Sequence, residues 1–145
     1  MEELVEKMKV VLATTFSFYL KAHNFHWNVE GPSFLQYHEL FQKIYDEAFG
    51  AVDAIAEEIR TLDAYAPGSY TRYSQLSAIA DEIAVPAAMQ MVSKLYDDNQ
   101  KCIEVLTDAF QVAEREKIVG LANFLQDRID IHSKHSWMLK ATLKV

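Results

Sequence analysis

Two histidines and two carboxylates stand out as possible metal ligands in the first half of this 145-residue chain: His26, His38, Asp53 and Glu57. Carboxylates are hard, anionic ligands that suit iron in both of its common oxidation states. A neutral imidazole adds a nitrogen donor without adding charge. The residue types therefore indicate a redox-metal site, provided that the fold brings the four side chains together.

The elements that must position these residues are long helices. Half of the residues are hydrophobic, and the chain has only four glycines and three prolines, which favours helices over turns. Apolar residues recur at three- and four-residue steps, which is the helical period. The pattern predicts four long helices: residues 2–28, residues 34–62 after an N-cap at Ser33, residues 86–113 with Pro86 in the first turn, and residues 116–143.

A long connection separates the second and third of these helices. The run Ala66-Pro67-Gly68-Ser69 breaks the helical pattern, and a short helix is expected within residues 74–83. A connection of this length lets the chain cross the end of a bundle. We therefore expect an all-α fold, a four-helix bundle with a short extra helix in the long connection, built as a single domain over residues 1–145.

Charge and cysteine content exclude some functions. The formal net charge of −7 and the lack of a basic stripe or tail argue against a non-specific grip on nucleic acid. A single cysteine, Cys102, cannot form an internal disulfide, and no signal-peptide pattern or membrane-length apolar run is apparent. A cytoplasmic protein is the expectation.

Helical geometry divides the four candidate ligands into two pairs. Asp53 and Glu57 are one turn apart and face away from the apolar stripe of the second helix. His38 lies about 22 Å from Asp53 along the same axis, so one straight helix cannot place both on one metal. His26 is close in sequence to the turn that leads to His38. If the four act together, the acids must come from a second copy of the chain across a two-fold axis; otherwise, they form an ordinary solvated acidic face.

Other aromatic and histidine residues admit two interpretations. Phe18 and Phe25 fall opposite the apolar stripe of the first helix, which favours a subunit interface there. His23 is either a contact near the metal or a satisfied core histidine, whereas for His132 and His135 the structural interpretation is preferred.

A distinctive series of residues begins with the run His26-Trp27-Asn28-Val29-Glu30-Gly31 and continues with Phe34, His38 and Phe41 and then with Asp53, Ile55, Ala56, Glu57 and Ile59. This series closely resembles the signature of the Dps family of mini-ferritins. The last helix is also similar, through Asp127-Arg128-Ile129-Asp130, His132 and Trp137-Met138-Leu139. The resemblance spans nearly the whole chain and implies a ferritin-like domain.

What the resemblance implies is a hollow shell of twelve subunits, with ferroxidase centres at its two-fold interfaces. His26 and His38 match the ligands from one subunit, and Asp53 and Glu57 match those from the other. The expected reaction oxidises Fe(II), with hydrogen peroxide usually preferred over oxygen, and stores ferric oxide inside the shell. Iron and peroxide are then consumed before they generate hydroxyl radical, and Zn(II) is expected to compete with iron.

Three residues near this centre are expected to act on it indirectly. The family places a tryptophan beside the centre, so Trp27 either intercepts oxidising equivalents or is a core aromatic at a helix end. His23 is a possible further contact. Gln42 stands where many family members carry another acid, which should weaken a second iron position and leaves open whether one iron or two are held.

Two other functions compete with iron oxidation. A DNA-compacting protein of the nucleoid is disfavoured by the acidic charge and the lack of a basic tail. A helical interaction module whose polar quartet is accidental would make metal irrelevant to activity.

Overall fold

The computed structural model describes residues 1–144 as a bundle of helices without strands. The helices are α1 (Glu2–Asn28), α2 (Phe34–Thr61), α3 (Tyr70–Leu76), α4 (Ala88–Arg115) and α5 (Val119–Leu143). The four long helices form the bundle, and short α3 lies in the connection between α2 and α4, packed against α1. The predicted fold class is confirmed. In the described part of the chain, no helix offers the long apolar stretch that a bilayer crossing requires.

A tight turn joins α1 to α2 and sets their antiparallel packing. Gly31 adopts a φ of 102°, which its missing side chain permits, and Ser33 adopts the left-handed value of 66°. Ser33 occupies the predicted N-cap position, but its side chain makes no capping hydrogen bond. The turn therefore depends on backbone geometry, and it brings the end of α1 beside the start of α2.

The short helix begins and ends earlier than the predicted residues 74–83. Ser69 Oγ accepts a hydrogen bond from the Arg72 backbone N–H at 3.3 Å, so the helix begins directly after this cap. Beyond α3 the connection is fixed to α1 by two hydrogen bonds. Ala78 N–H donates to Thr14 Oγ1 at 3.1 Å, and Lys21 Nζ donates to the Ala80 carbonyl at 2.6 Å.

The last two long helices begin two to three residues later than their spacing predicts. Pro86 precedes the N-cap of α4 rather than occupying the first turn. The residues after Arg115 form a turn in which Lys117 has a φ of 59°, so α5 starts at Val119. This short turn makes α4 and α5 antiparallel neighbours.

Two apolar clusters fill the bundle. One is built around Leu12, Ile55 and Leu125, and the other around Phe18, Phe41 and Leu95. Along α5, buried polar residues lie between the two clusters: Arg128, His132 and His135. The buried face of α5 is therefore apolar towards both ends and polar in the middle.

The outward placement predicted for Phe18 and Phe25 is wrong. Both side chains are completely buried. The cause is that α1 packs against α2, α3 and α4, so more than one of its faces is enclosed. A helix wheel that assumes one buried face assigns these residues to the wrong side.

Candidate metal centre

The turn between α1 and α2 brings His26 and His38 into contact. His26 lies in the last turn of α1 with 8% of its surface exposed, and His38 lies early in α2 and is partly exposed. Their rings stack with centroids 3.7 Å apart and planes 15° apart. We call these two residues the paired histidines.

Each of the paired histidines is fixed by the backbone of the other. His26 Nδ1 lies 2.8 Å from the His38 carbonyl oxygen, and His38 Nδ1 lies 2.7 Å from the His26 carbonyl oxygen. A carbonyl oxygen only accepts, so both Nδ1 atoms must carry the hydrogen. In the neutral rings the lone pair is then on Nε2, and neither Nε2 atom forms a hydrogen bond within residues 1–144.

This arrangement suits metal binding. A histidine ligand normally donates its other ring N–H to a protein acceptor, which fixes the tautomer and the direction of the lone pair. Here both rings have that bond already, and both leave Nε2 available. The two side chains can therefore supply two nitrogen ligands without rearrangement.

The carboxylate pair lies elsewhere on α2. Asp53 and Glu57 are exposed, in agreement with the helical wheel. A side-chain hydrogen bond with Asp53, together with the negative charge of that residue, raises the pKa of Glu57. Within residues 1–144, no three side chains of His, Cys, Asp or Glu converge closely enough to hold a metal ion. The fold thus brings each predicted pair together but keeps the two pairs apart.

Trp27 and Gln42, two of the three nearby candidates, are both on the surface of the chain. The Trp27 side chain is 59% exposed, so its alternative interpretation as a core aromatic is wrong. Gln42 is exposed on α2, four residues after His38. Their positions permit contact with a second subunit.

His23, the third candidate, joins an aromatic group beside the paired histidines. The Tyr19 hydroxyl lies 3.0 Å from His23 Nδ1, and the His23 ring stacks on Tyr45 at 3.8 Å with planes 9° apart. Burial and the nearby His26 lower the pKa of His23, while Asp46 opposes this shift. Sequence reasoning missed both tyrosines, although the four-residue spacing of Tyr19 and His23 places them on one face.

His132 and His135 belong to a second histidine group, which we call the buried polar cluster. Its members come from α2, α4 and α5: Glu47, Asn99, Arg128, His132 and His135. Arg128 forms a bidentate ion pair with Glu47 and donates from a terminal nitrogen to His132 Nε2 at 2.9 Å. His132 Nδ1 lies 2.7 Å from Asn99 Oδ1, and His135 Nε2 lies 2.9 Å from Glu47 Oε1.

The bonds of this cluster explain its charge states. Burial alone would raise the pKa of Glu47, but hydrogen bonds from His135 and Arg128 outweigh burial and lower it to about 2. Burial, with the positive charge of Arg128 nearby, lowers the pKa of His132 to about 3. The imidazole of His132 is therefore neutral, and both of its nitrogens are already used. These bonds support the structural interpretation of His132. His135 is bonded to Glu47 through Nε2, whereas its buried Nδ1 has no hydrogen-bond partner among the described residues.

Comparisons with known proteins agree with the fold and with the signature. A family model described as a ferritin-like domain matches residues 5–145. The chain is 34% identical, over 87% of its length and 85% of the relative, to a DNA protection during starvation protein of Brevibacillus brevis. The crystal structure of a Dps protein from Bacillus brevis superposes with a TM-score of 0.94 at 29% identity, covering 99% of this chain and 96% of that one.

A Dps protein from Vibrio cholerae O1 superposes equally well. Its TM-score is 0.94 at 26% identity, covering 99% of this chain and 90% of that one, and it is described as a member of a broad superfamily of ferritin-like diiron-carboxylate proteins. The chain thus belongs to the ferritin-like proteins and, within that class, to the Dps family.

Proposed function

We propose that this protein is a ferroxidase and iron store, in which Fe(II) is oxidised at a site shared by two subunits. The observation that carries the proposal is the reciprocal bonding of the paired histidines, which leaves both Nε2 atoms free. In this proposal Asp53 and Glu57 of the partner subunit complete the site. Their negative charge favours Fe(III) over Fe(II) and so assists oxidation.

Iron is the substrate of this reaction and hydrogen peroxide is the proposed oxidant. Two Fe(II) ions each lose one electron, the O–O bond breaks, and two protons are taken up to give two water molecules. Fe(III) then hydrolyses and accumulates as ferric oxide in the cavity of a dodecamer. Both reagents that would produce hydroxyl radical are consumed together, which limits oxidative damage.

The main test is anaerobic loading with Fe(II), followed by peroxide, with ferric absorbance recorded over time. We expect His38→Ala and Glu57→Ala to slow oxidation by at least about tenfold, since loss even of an outer partner costs that much. Glu104→Ala, which removes an exposed acid from α4, is the matched control and should oxidise iron at the parental rate. Equal rates in all variants would remove the site assignment.

Mixing the two inactive variants tests whether the site is shared. If His38→Ala and Glu57→Ala subunits are unfolded and refolded together, half of the dimers are mixed, and each mixed dimer has one intact site. Activity should then return to about a quarter of the parental value. A site within one chain would stay inactive after mixing. A stable monomer in light scattering would also contradict the proposal.

Zinc provides a check that does not require oxidation. Mixed imidazole and carboxylate ligands bind Zn(II) well, so Zn(II) should slow iron oxidation by the parent. It should bind His38→Ala more weakly in calorimetry.

Compaction of DNA is the alternative function. A relative is named for DNA protection, but the net charge of −7 on each chain opposes contact with phosphates. We expect no retarded complex in a gel-shift assay at moderate salt. A clear complex with the untagged protein would favour the alternative.

A further inference from the structure

The methionines of the chain differ in how accessible their sulfur atoms are. There are five methionines in the sequence. Met8 and Met91 are buried in the two apolar clusters, and Met138 is half-buried on α5. Met89 is 41% exposed and lies in the first turn of α4, whereas Met1 is the exposed first residue. Within the long helices, Met89 is therefore the methionine that a small solute reaches most easily.

The sulfur of Met89 also has a hydrogen-bond donor beside it. The Tyr37 hydroxyl donates to Met89 Sδ at 3.1 Å, and this bond joins the first turn of α2 to the first turn of α4. The Tyr37 ring is held at the edge of the apolar cluster that contains Phe41. A thioether is only a weak acceptor, so the Tyr37 hydroxyl would bond more strongly to a better acceptor at this position.

A thioether becomes a better acceptor when hydrogen peroxide oxidises it. The sulfur lone pair attacks one peroxide oxygen, the S–O bond forms and the O–O bond breaks. The departing oxygen keeps one proton, takes up the other and leaves as water. One thioether and one peroxide thus give one sulfoxide and one water, with two electrons passing from sulfur to peroxide.

The consequence of this reaction depends on where the methionine lies. A sulfoxide is polar, so at Met8 or Met91 its oxygen would be buried among apolar side chains without a donor, which destabilises a core. At Met89 the new oxygen has solvent on one side and the Tyr37 hydroxyl on the other. The methionine side chain is flexible and can shift so that the oxygen accepts the hydrogen bond from Tyr37.

We propose that Met89 is an oxidation site that consumes hydrogen peroxide by forming methionine sulfoxide, and that Tyr37 stabilises the oxidised side chain. This inference goes beyond the proposed function, because the step needs neither iron nor a second subunit. Peroxide that reaches this end of the bundle is reduced to water without damage to the core. Methionine sulfoxide can be reduced again by sulfoxide reductases, so the site can be used repeatedly.

The first experiment locates the oxidation. Parent protein treated with a chelator receives hydrogen peroxide, and peptide mass spectrometry follows the gain of oxygen at each methionine. We expect Met89 to react at a rate close to that of Met1. Met91, two residues further along α4, is the matched control and should stay unmodified while the circular dichroism signal is intact. Oxidation of Met91 as fast as Met89, or a Met89 that stays unmodified when Met1 is fully converted, would overturn the proposal. Since no iron is used, this result does not depend on the proposed ferroxidase activity.

The second experiment tests the role of Tyr37. The melting temperature is measured before and after Met89 is oxidised. In Tyr37→Phe the fall on oxidation should exceed that of the parent by about 2–4 °C, because the sulfoxide oxygen loses its donor. Tyr96→Phe removes another hydroxyl at the edge of the same apolar cluster and should respond as the parent does. Equal falls in Tyr37→Phe and the parent would remove the role of Tyr37.

A third comparison requires neither oxidation nor a folded Tyr37→Phe variant. Glutamine resembles methionine sulfoxide in length and carries an oxygen acceptor near the same position. Met89→Gln should melt close to the parental temperature, whereas Met91→Gln should melt well below it or fail to fold, since its amide is buried. An equally large loss in both variants would show that a polar group is not tolerated at Met89, and would overturn the proposal.

Discussion

The paired histidines and the buried polar cluster each place two histidine rings side by side in one bundle, yet the fold uses the ring nitrogens of His26 and His38 differently from those of His132. In the paired histidines, backbone carbonyls occupy both Nδ1 atoms and leave Nε2 free. In the buried polar cluster, Arg128 already provides the positive charge beside Glu47 and occupies Nε2 of His132. Histidine content alone does not make a metal site; what matters is which ring nitrogens the fold has already used.

The largest expected loss of stability comes from removing Arg128 from the buried polar cluster. Arg128→Ala removes the cation from Glu47 and leaves His132 Nε2 without its donor. Breaking a buried ion pair from one side costs about 3–5 kcal/mol of unfolding free energy. Urea unfolding followed by circular dichroism at fixed protein concentration measures this loss.

Lys101→Ala is the control for Arg128→Ala. Lys101 is an exposed cation on α4, and its removal should change stability by no more than about 0.5 kcal/mol. If the two variants were equally stable, Arg128 would not hold the cluster together.

Two single substitutions, one in each histidine group, test the difference between the paired histidines and the buried polar cluster directly. His132→Ala should cost about 2–3 kcal/mol, because it leaves a cavity and the buried Asn99 Oδ1 without a donor. His38→Ala removes a partly exposed ring and should cost about 1 kcal/mol. Thermal or urea unfolding should show the larger loss of stability for His132→Ala. Calorimetry with Zn(II) should show the larger loss of affinity for His38→Ala. The same ranking in both measurements would contradict the contrast.

Acid should lower the stability of the protein by protonating residues of the buried polar cluster. The folded pKa of Glu47 is about 2 against an ordinary 4.5, and that of His132 is about 3 against 6.5. In both cases the unfolded chain binds the proton first, so stability is lost as pH falls, from about 6.5 to 3 for His132 and from about 4.5 to 2 for Glu47.

Glu47→Gln tests the loss of stability that is assigned to Glu47, in the lower of the two pH ranges. The variant should be less stable at neutral pH and should lose less stability than the parent between pH 4.5 and 2. Unfolding midpoints measured across pH provide the test, with Glu39→Gln, an exposed acid on α2, as the control. An unchanged slope in Glu47→Gln would show that another group controls the acid response.

The smallest expected effect on stability comes from a substitution at Gln42. Gln42→Glu adds an exposed carboxylate four residues after His38, and should raise Fe(II) binding from one ion per site towards two with little effect on stability. Anaerobic titration monitored by calorimetry measures this stoichiometry. Gln36→Glu, an exposed change on the same helix, is the control, and equal stoichiometry in both variants would contradict the role given to Gln42.

Local pattern was enough to predict the long helices and which candidate ligands lie together in pairs. The period of apolar residues predicted the range of α1 correctly, and the rise of a helix separated His38 from Asp53. The end of α1 next to the start of α2 also followed from the turn at Gly31. These features depend on residues that are near one another in sequence.

Features that depend on several helices could not be predicted in this way. Glu47 and Arg128 are 81 positions apart, and no local spacing indicates that they form an ion pair. Phe18 and Phe25 were misplaced because the wheel shows one helix and not its three neighbours. The reciprocal bonds of the paired histidines depend on backbone carbonyls, which residue types do not reveal.

A site whose ligands are divided between two chains, as proposed, would have a thermodynamic consequence. In the proposed assembly, the paired histidines are rigid before any metal arrives, and the acids come with the partner subunit. Iron then strengthens the association of subunits by the same factor by which association strengthens iron binding. Depletion of iron would loosen the two-fold contact, so the shell would respond to the metal that it stores.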